Sequence, residues 1–114
     1  MALFGKTRNL VGLDIGSSAV KLVELKEQKK GQGYELVRCG YEPLSAEAIV
    51  DGAIMDAGLV AETIKKVFAD TRTKNADVAT SLSGHSVIIK RISLQEMDEE
   101  QLAESITWEA EQYI

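Results

Sequence analysis

A short apolar run that stops at a glycine, with a second apolar run directly behind it, constrains this chain most. Leu10–Ile15 reads LVGLDI and Ala19–Lys26 reads AVKLVELK, with Gly16-Ser17-Ser18 between them. The first run is almost continuously apolar, which predicts a strand buried on both faces. The second run alternates between two faces: Val20, Leu22 and Glu24 on one, and Lys21, Val23 and Leu25 on the other. Since Gly and Ser favour turns, the two runs are predicted to form a tight β-hairpin.

The next segments extend this hairpin. Glu27–Gly33 is a polar turn that contains glycine, and Tyr34–Tyr41 has the pattern of a third strand. Strand, turn, strand, turn, strand predicts an antiparallel meander, which Pro43 closes. Ser45–Asp56 is then a connector with one short apolar piece.

Two helices are predicted from apolar periodicity and from end signals. Between Gly58 and Asp70 the apolar residues follow a helical spacing: Val60, Ile64, Val67 and Phe68. The second helix is expected to start after Asp98, an N-cap residue for which Gln101 would complete a capping box. Its apolar stripe consists of Leu102, Ile106, Ala110 and Tyr113.

Two more strands are predicted between the helices. Asp77–Leu82 and Ser86–Leu94 are the candidates, and the β-branched run Val87-Ile88-Ile89 favours strand over helix in the second of them. Together with the meander and the helices, these segments predict a mixed α/β fold class.

Chemistry is concentrated around the first turn, at Asp14, Gly16, Ser17, Ser18 and Lys21. A carboxylate at the end of a buried strand can hold Mg²⁺, directly or through its waters. The glycine lets the backbone approach a phosphate, the serines offer donors to its oxygens, and the lysine adds a point charge. The alternative is a hairpin whose Gly-Ser turn is only a turn. A Walker A loop and a dinucleotide fingerprint are excluded, because both open a helix and a strand follows here.

Composition limits the classes of function. The net charge of −5 argues against a nucleic-acid binder that works through a basic surface. The single cysteine, Cys39, excludes an internal disulfide and is predicted to be a small buried hydrophobe. No apolar run approaches the ~18 residues that span a bilayer, and Met1–Asn9 is too short and too polar for a signal peptide. The only histidine, His85, is predicted to be an exposed turn residue, while Trp108 fits either a core or an interface.

The strand, the Asp-x-Gly-Ser turn and the second strand resemble the first phosphate motif of the actin, hexokinase and chaperone ATPase superfamily. The amino-acid sequence from Val11 to Lys21 is similar to that of FtsA and, more closely, to that of the PilM family of actin-like proteins of type IV pilus assembly. Three further segments carry the resemblance to PilM: Ala48–Gly52, Leu82–Arg91 and Trp108–Ile114. The resemblance covers nearly the whole chain.

The resemblance implies an actin-like ATPase (ribonuclease H-like) fold of the FtsA type. Residues 1–76 would be the first part of subdomain 1A with the phosphate-1 loop, and residues 77–114 would be part of subdomain 1C. The rest of 1A, with 2A, 2B, the second phosphate loop and the adenosine-binding glycines, would lie outside this sequence. The apolar stripe that runs to Ile114 agrees with a partial chain. These residues alone are therefore expected to bind ATP weakly at best.

The resemblance also implies a function: a cytoplasmic ATP-binding adaptor, peripheral to the inner membrane, that serves pilus biogenesis and twitching motility. Its nucleotide contacts would be Asp14, Gly16, Ser17, Ser18 and Lys21, with ATP and Mg²⁺ as cofactors and Asp14 holding the Mg²⁺ through water. Its partner would be the N-terminal cytoplasmic peptide of the inner-membrane protein PilN, held in a groove between 1A and 1C. Other inner-membrane and motor components of the pilus are further expected partners. No nucleic acid is implied, and membrane contact would run through the partners.

Two alternatives stay open at this point, as does the question of ATP hydrolysis. One is an FtsA-like cell-division protein, and the other is an enzyme of the sugar-kinase type from the same superfamily. Asp77–Ile114 has a counterpart in PilM but none recognised in sugar kinases. Trp108–Ile114 favours PilM over FtsA.

Overall fold

A computed structural model of the chain describes residues 9–29, 31–85 and 87–114. Within these residues the elements in chain order are β1 (Leu10–Ile15), β2 (Ala19–Glu27), β3 (Tyr34–Pro43), β4 (Ile49–Val50), β5 (Ala53–Ile54), α1 (Ala57–Thr71), β6 (Val78–Ala79) and α2 (Glu99–Glu111). The main sheet has the strand order β3-β2-β1-β6, in which β1, β2 and β3 pair antiparallel and β6 pairs parallel to β1. The predicted meander and the mixed α/β class are confirmed.

The alternation predicted for β2 is the one observed. Val20 and Leu22 have no exposed surface and Glu24 is 5% exposed, whereas Lys21 and Val23 face outward. The buried residues of β2 lie beside Val11 and Leu13 of β1 and form one apolar layer with them. The register of the hairpin therefore decides which set of side chains enters the core.

Helix α1 covers the inner face of the meander. The side chain of Val67 packs among the buried residues of β1 and β2, and Ile64 and Phe68 pack against the same cluster. The predicted apolar face is thus confirmed. The Asp56 side chain accepts a hydrogen bond of 2.9 Å from the Leu59 amide and caps the start of the helix. Arg72, in the left-handed region with φ of 55°, ends it.

The outer face of the sheet is not covered by any of the described residues, and two predictions fail for that reason. β1 was expected to be buried on both faces, but Leu10 is 53% exposed and Asp14 is exposed as well. Cys39 was expected to be buried, but it lies opposite Val23 in β3 and is exposed. A single helix on one side buries only one face of a sheet.

One buried carboxylate ties the sheet to the end of α1. Glu24 Oε1 accepts a 2.8 Å hydrogen bond from Asn9 Nδ2. Glu24 Oε2 lies 3.1 Å from Arg38 Nε and forms an ion pair with it, without a hydrogen bond. The guanidinium of Arg38 also donates to the carbonyl oxygens of Thr71 and Arg72. A cation at the carboxyl end of a helix satisfies carbonyls that have no partner within the helix.

The connector between β3 and α1 contains a hairpin that was not predicted. Its strands, β4 and β5, are joined by Asp51-Gly52. The φ values of these two residues, 50° and 79°, are typical of the type I′ turn in hairpins with a two-residue loop. Gly84 packs against this turn, and a Cβ at Gly84 would lie 3.1 Å from the Gly52 carbonyl oxygen.

Residues 77–114 differ most from expectation. Only Val78–Ala79 of the Asp77–Leu82 candidate forms a strand, and residues 87–94 form none, while Ser86 lies outside the described residues. A strand needs a neighbour that accepts its hydrogen bonds, and neither described sheet places one beside residues 87–94. Helix α2 begins as predicted, since Asp98 accepts from the Gln101 amide at 2.9 Å. Its apolar stripe is not buried, and Trp108 is 62% exposed.

The close approach of α1 to β3 depends on Gly40. A Cβ at this position would collide with Thr71 Cγ2 and lie 2.8 Å from Val67 Cγ2. We expect Gly40→Ala to lower the free energy of unfolding by about 1–3 kcal/mol, the usual cost of overpacking. Urea denaturation measures this, with Cys39→Ala on the exposed face as the control, which is expected to change stability by less than about 0.5 kcal/mol. Equal midpoints for the two variants would contradict the packing described.

Candidate functional site

The β1–β2 register brings the two charged candidates of the turn together. Asp14 is paired with Lys21 across the hairpin, and Asp14 Oδ2 lies 3.2 Å from Lys21 Nζ. Both side chains are largely exposed, at 60% for Asp14 and 50% for Lys21. Solvent screens such a pair, so its contribution to stability is small. Both groups are therefore accessible to a ligand from the outer face of the sheet.

Gly16 is the first residue of the turn, and the turn leaves little space for a side chain at this position. Its amide donates a 2.9 Å hydrogen bond to the Ala19 carbonyl oxygen. Its φ is not in the left-handed region. A Cβ there, however, would lie 3.2 Å from the Ala19 oxygen and 3.9 Å from Lys21 Nζ. Glycine thus serves a close approach at this position, and a side chain would press on the hairpin closure and approach the lysine.

The two serines form the exposed tip of the turn. Ser17 and Ser18 are both exposed, and the Ser18 carbonyl accepts a 2.9 Å hydrogen bond from the Leu44 amide. That bond anchors the turn to the segment that follows β3. The structure therefore brings together all five predicted residues on one hairpin.

A groove of about 540 Å³ opens beside the charged pair, on the outer face of the sheet. Asp14 and Lys21 line one end of it, and β6 with the residues that follow lines the other. Its lining residues are Gly12, Leu13, Asp14, Lys21, Val23, Ala79, Thr80 and Ser81. The volume lies within the roughly 300–1,000 Å³ typical of small-molecule sites.

Sequence reasoning missed Thr80 and Ser81. Thr80 Oγ1 donates a 2.8 Å hydrogen bond to the Leu13 carbonyl oxygen, one residue before Asp14. The signal needed to find them was the parallel pairing of β6 with β1, since the carboxyl ends of parallel strands meet at one edge of a sheet. A two-residue strand carries too little pattern to predict that pairing.

The donor set fits a magnesium ion only in combination with a phosphate ligand. No group of three or more His, Cys, Asp or Glu side chains in the described part of the chain is placed to hold a metal ion. Mg²⁺ usually keeps several waters and takes one or two carboxylates along with phosphate oxygens. Asp14 would supply that one carboxylate, and phosphate and water would have to complete the coordination.

A second groove, of about 370 Å³, lies between residues 88–92 and residues 106–114, which are the second half of α2 and the residues that follow it. It is lined mainly by apolar side chains, and Lys90 Nζ sits 4.5 Å from the centre of the Tyr113 ring. Exposed apolar residues in and beside it include Ile88, Ile89 and Ile114. Exposed apolar surface of this kind often marks a contact with another protein. His85 is an exposed turn residue, as predicted.

These features define a mixed α/β protein whose first hairpin presents a carboxylate, a lysine and a glycine-serine turn beside a groove. Among protein families, the one described as "Type IV pilus assembly protein PilM" has a sequence profile that matches residues 12–114. The chain belongs to this family. Of the helices in the described residues, none combines the length and the apolar composition needed to cross a bilayer.

The exposure of the Asp14–Lys21 pair predicts that its removal costs little stability. We expect Asp14→Asn to lower the free energy of unfolding by about 1 kcal/mol or less, since exposed ion pairs contribute ~0–1 kcal/mol. The matched change at the buried carboxylate, Glu24→Gln, should cost more, about 1.5–3 kcal/mol. Chemical denaturation of both variants tests the contrast. A loss at Asp14 as large as that at Glu24 would show that the turn carboxylate is structural.

Proposed function

We propose that this chain is the nucleotide-binding end of a cytoplasmic ATP-binding adaptor of the type IV pilus assembly machine. In this proposal it has an actin-like, FtsA-type fold, with residues 1–76 in subdomain 1A and residues 77–114 in subdomain 1C. The adaptor acts in pilus biogenesis and twitching motility at the inner membrane. Family membership supports the pilus assignment and favours it over a cell-division protein or a sugar kinase.

The observation that carries the nucleotide proposal is the 3.2 Å contact of Asp14 with Lys21 beside an open groove. An acid and a base that neutralise each other at an exposed position add little to the fold. A phosphate with a bound cation can interact with both, because the lysine attracts the phosphate oxygens and the carboxylate attracts the cation or its waters. The backbone amides and hydroxyls of the Gly16-Ser17-Ser18 turn supply further donors for the phosphate.

In this proposal the residues have separate roles. Gly16 permits the close approach of the ligand, Ser17 and Ser18 donate to phosphate oxygens, and Lys21 neutralises the phosphate charge. Asp14 holds the hydration shell of Mg²⁺. The bound cation would supply charge neutralisation of the phosphates.

The partner proposal is supported by the apolar surface of residues 77–114. In this proposal the N-terminal peptide of PilN lies in a groove between 1A and 1C, of which residues 77–114 form one side, and the membrane is reached through this partner. Trp108 and Ile88 are each 62% exposed and Ile89 is 91% exposed, which leaves unusual apolar area for a peptide to cover.

The nucleotide proposal predicts a magnesium-dependent loss of ATP affinity on removal of Asp14. The protein as the cell makes it should bind Mg-ATP in calorimetry, and Asp14→Ala should weaken that binding by about tenfold or more, equivalent to about 1.4 kcal/mol. The difference should shrink when EDTA removes the metal, because the carboxylate acts through the cation. Asp70→Ala, an exposed aspartate on α1, is the control and should bind as the wild type does. Unchanged ATP affinity in Asp14→Ala would refute the assigned role.

The partner proposal predicts retention of the protein by an immobilised N-terminal peptide of PilN, measured with and without Mg-ATP. Ile88→Glu places a charge in the apolar groove and should reduce retention severalfold, since a buried unpaired charge is costly. Ile54→Glu makes the same change at a position of similar exposure, 55%, on β5 and should have no effect. Absence of retention in both nucleotide conditions would remove the adaptor proposal.

A further inference from the structure

Residues 81–114 are attached to the rest of the molecule by few contacts. The last hydrogen bond to the main sheet along the described chain is that of Thr80 Oγ1 with the Leu13 carbonyl oxygen. Beyond it, no hydrogen bond or ion pair between described residues joins residues 81–114 to residues 9–80. Both described core clusters consist of residues between 11 and 68, and Leu82 is 85% exposed. The packing of the described core therefore does not fix the direction of residues 81–114.

One close contact does join the two parts, between Gly84 and Gly52 in the β4–β5 turn. A Cβ at Gly84 would lie 3.1 Å from the carbonyl oxygen of Gly52 and 3.6 Å from its carbonyl carbon. A Cβ at Gly52 would lie 3.4 Å from the Gly84 Cα. The φ values of Gly84 and Gly52, 104° and 79°, also favour glycine. The main chains of the two turns thus touch where a side chain on Gly84 would hold them apart.

The character of this contact is one-sided. It joins main-chain atoms only, and no backbone hydrogen bond runs between Gly52 and Gly84. Contacts of this kind attract weakly when the atoms are at their best separation and repel steeply when the atoms come closer. The contact therefore opposes a closer approach of residues 81–114 and opposes their separation only weakly.

The residues beyond Gly84 are connected to it and to each other. The Val87 amide donates a 3.1 Å hydrogen bond to the Gly84 carbonyl oxygen. Further along, Lys90 Nζ lies 4.5 Å from the centre of the Tyr113 ring, and the Ser105 hydroxyl lies 3.5 Å from the Met97 sulfur. A displacement of Gly84 is therefore passed on to the extended residues and to α2.

We propose that the contact of Gly84 with Gly52 is the stop of a hinge at residues 81–83. In the closed position the two glycines touch, and residues 84–114 swing away from the β4–β5 turn when the hinge opens. One consequence rests on the proposed function, in which the peptide of the partner lies between 1A and 1C. The stop then sets the smallest width of that groove.

The test is Gly84→Asn, because asparagine tolerates a positive φ better than most residues and its side chain would displace the stop. Gly33→Asn is the matched control: Gly33 has a φ of 87°, and a Cβ there would meet nothing within 4 Å. Trp108 and Cys39, the single tryptophan and the single cysteine of the sequence, report the position of α2 relative to the sheet. Energy transfer from Trp108 to a dye on the exposed Cys39 should change in Gly84→Asn and should equal that of the wild type in Gly33→Asn.

Retention by the immobilised N-terminal peptide of PilN is the second measurement, and it should fall severalfold in Gly84→Asn only. If Gly84→Asn does not fold, Gly84→Ala is compared with Gly33→Ala in the same way. Equal energy transfer in the folded Gly84 and Gly33 variants overturns the stop. Altered transfer with unchanged retention overturns its effect on the groove. A wild-type protein that the peptide does not retain overturns the proposed partner, and the energy transfer alone then decides whether the stop exists.

Discussion

The register of β1 against β2 is the constraint on which the rest of the structure depends. It is set at the turn, where the Gly16 amide bonds to the Ala19 carbonyl oxygen at 2.9 Å. A slip of one residue would move Val20 and Leu22 from the core to the outer face and Lys21 inward. Burial of two such apolar side chains contributes roughly 3–6 kcal/mol, against a net stability of ~5–15 kcal/mol for an ordinary domain. The same register that builds the core therefore also fixes Asp14 opposite Lys21.

The division of the sheet into a covered and an uncovered face follows from this register. Helix α1 covers the inner face, where Val67 completes the core and Arg38 joins the buried Glu24 to the carbonyls at the helix end. The outer face carries the charged pair and the groove instead. Stability and the candidate chemistry thus occupy opposite sides of the same strands. Changes on the outer face can therefore be read as effects on binding with little disturbance of the core.

The features of the fold that were predicted correctly are those whose sequence signals lie within a few residues of each other. The meander, α1 and the start of α2 follow from signals within a few residues, such as the alternation from Val20 to Glu24 and the Asp98 cap, and these predictions are confirmed. The five candidate site residues at the first hairpin were also predicted from local signals, and their role stays a prediction. Features that depend on a distant partner were missed or wrong: Cys39 is exposed because no described residues cover its face, and residues 87–94 lack a strand neighbour. The position of Thr80 beside Leu13 and the groove depends on the pairing of β6 with β1, which a strand of only two residues does not reveal in the sequence.

The short pairing of β6 gives the candidate site a particular physical character. Only two residue pairs are in register, Val11 with Val78 and Gly12 with Ala79. Beyond them, the hydrogen bond to β1 comes from a side chain, because Thr80 Oγ1 donates to the Leu13 carbonyl oxygen. Residues 81–114 follow directly after this contact and contain the exposed apolar groove. A ladder this short opens at a lower free energy than the long β1–β2 hairpin, because fewer hydrogen bonds and contacts hold it. A ligand in the groove would contact both sides of this short pairing, because Asp14 and Lys21 line one end of the groove and Ala79, Thr80 and Ser81 line the other.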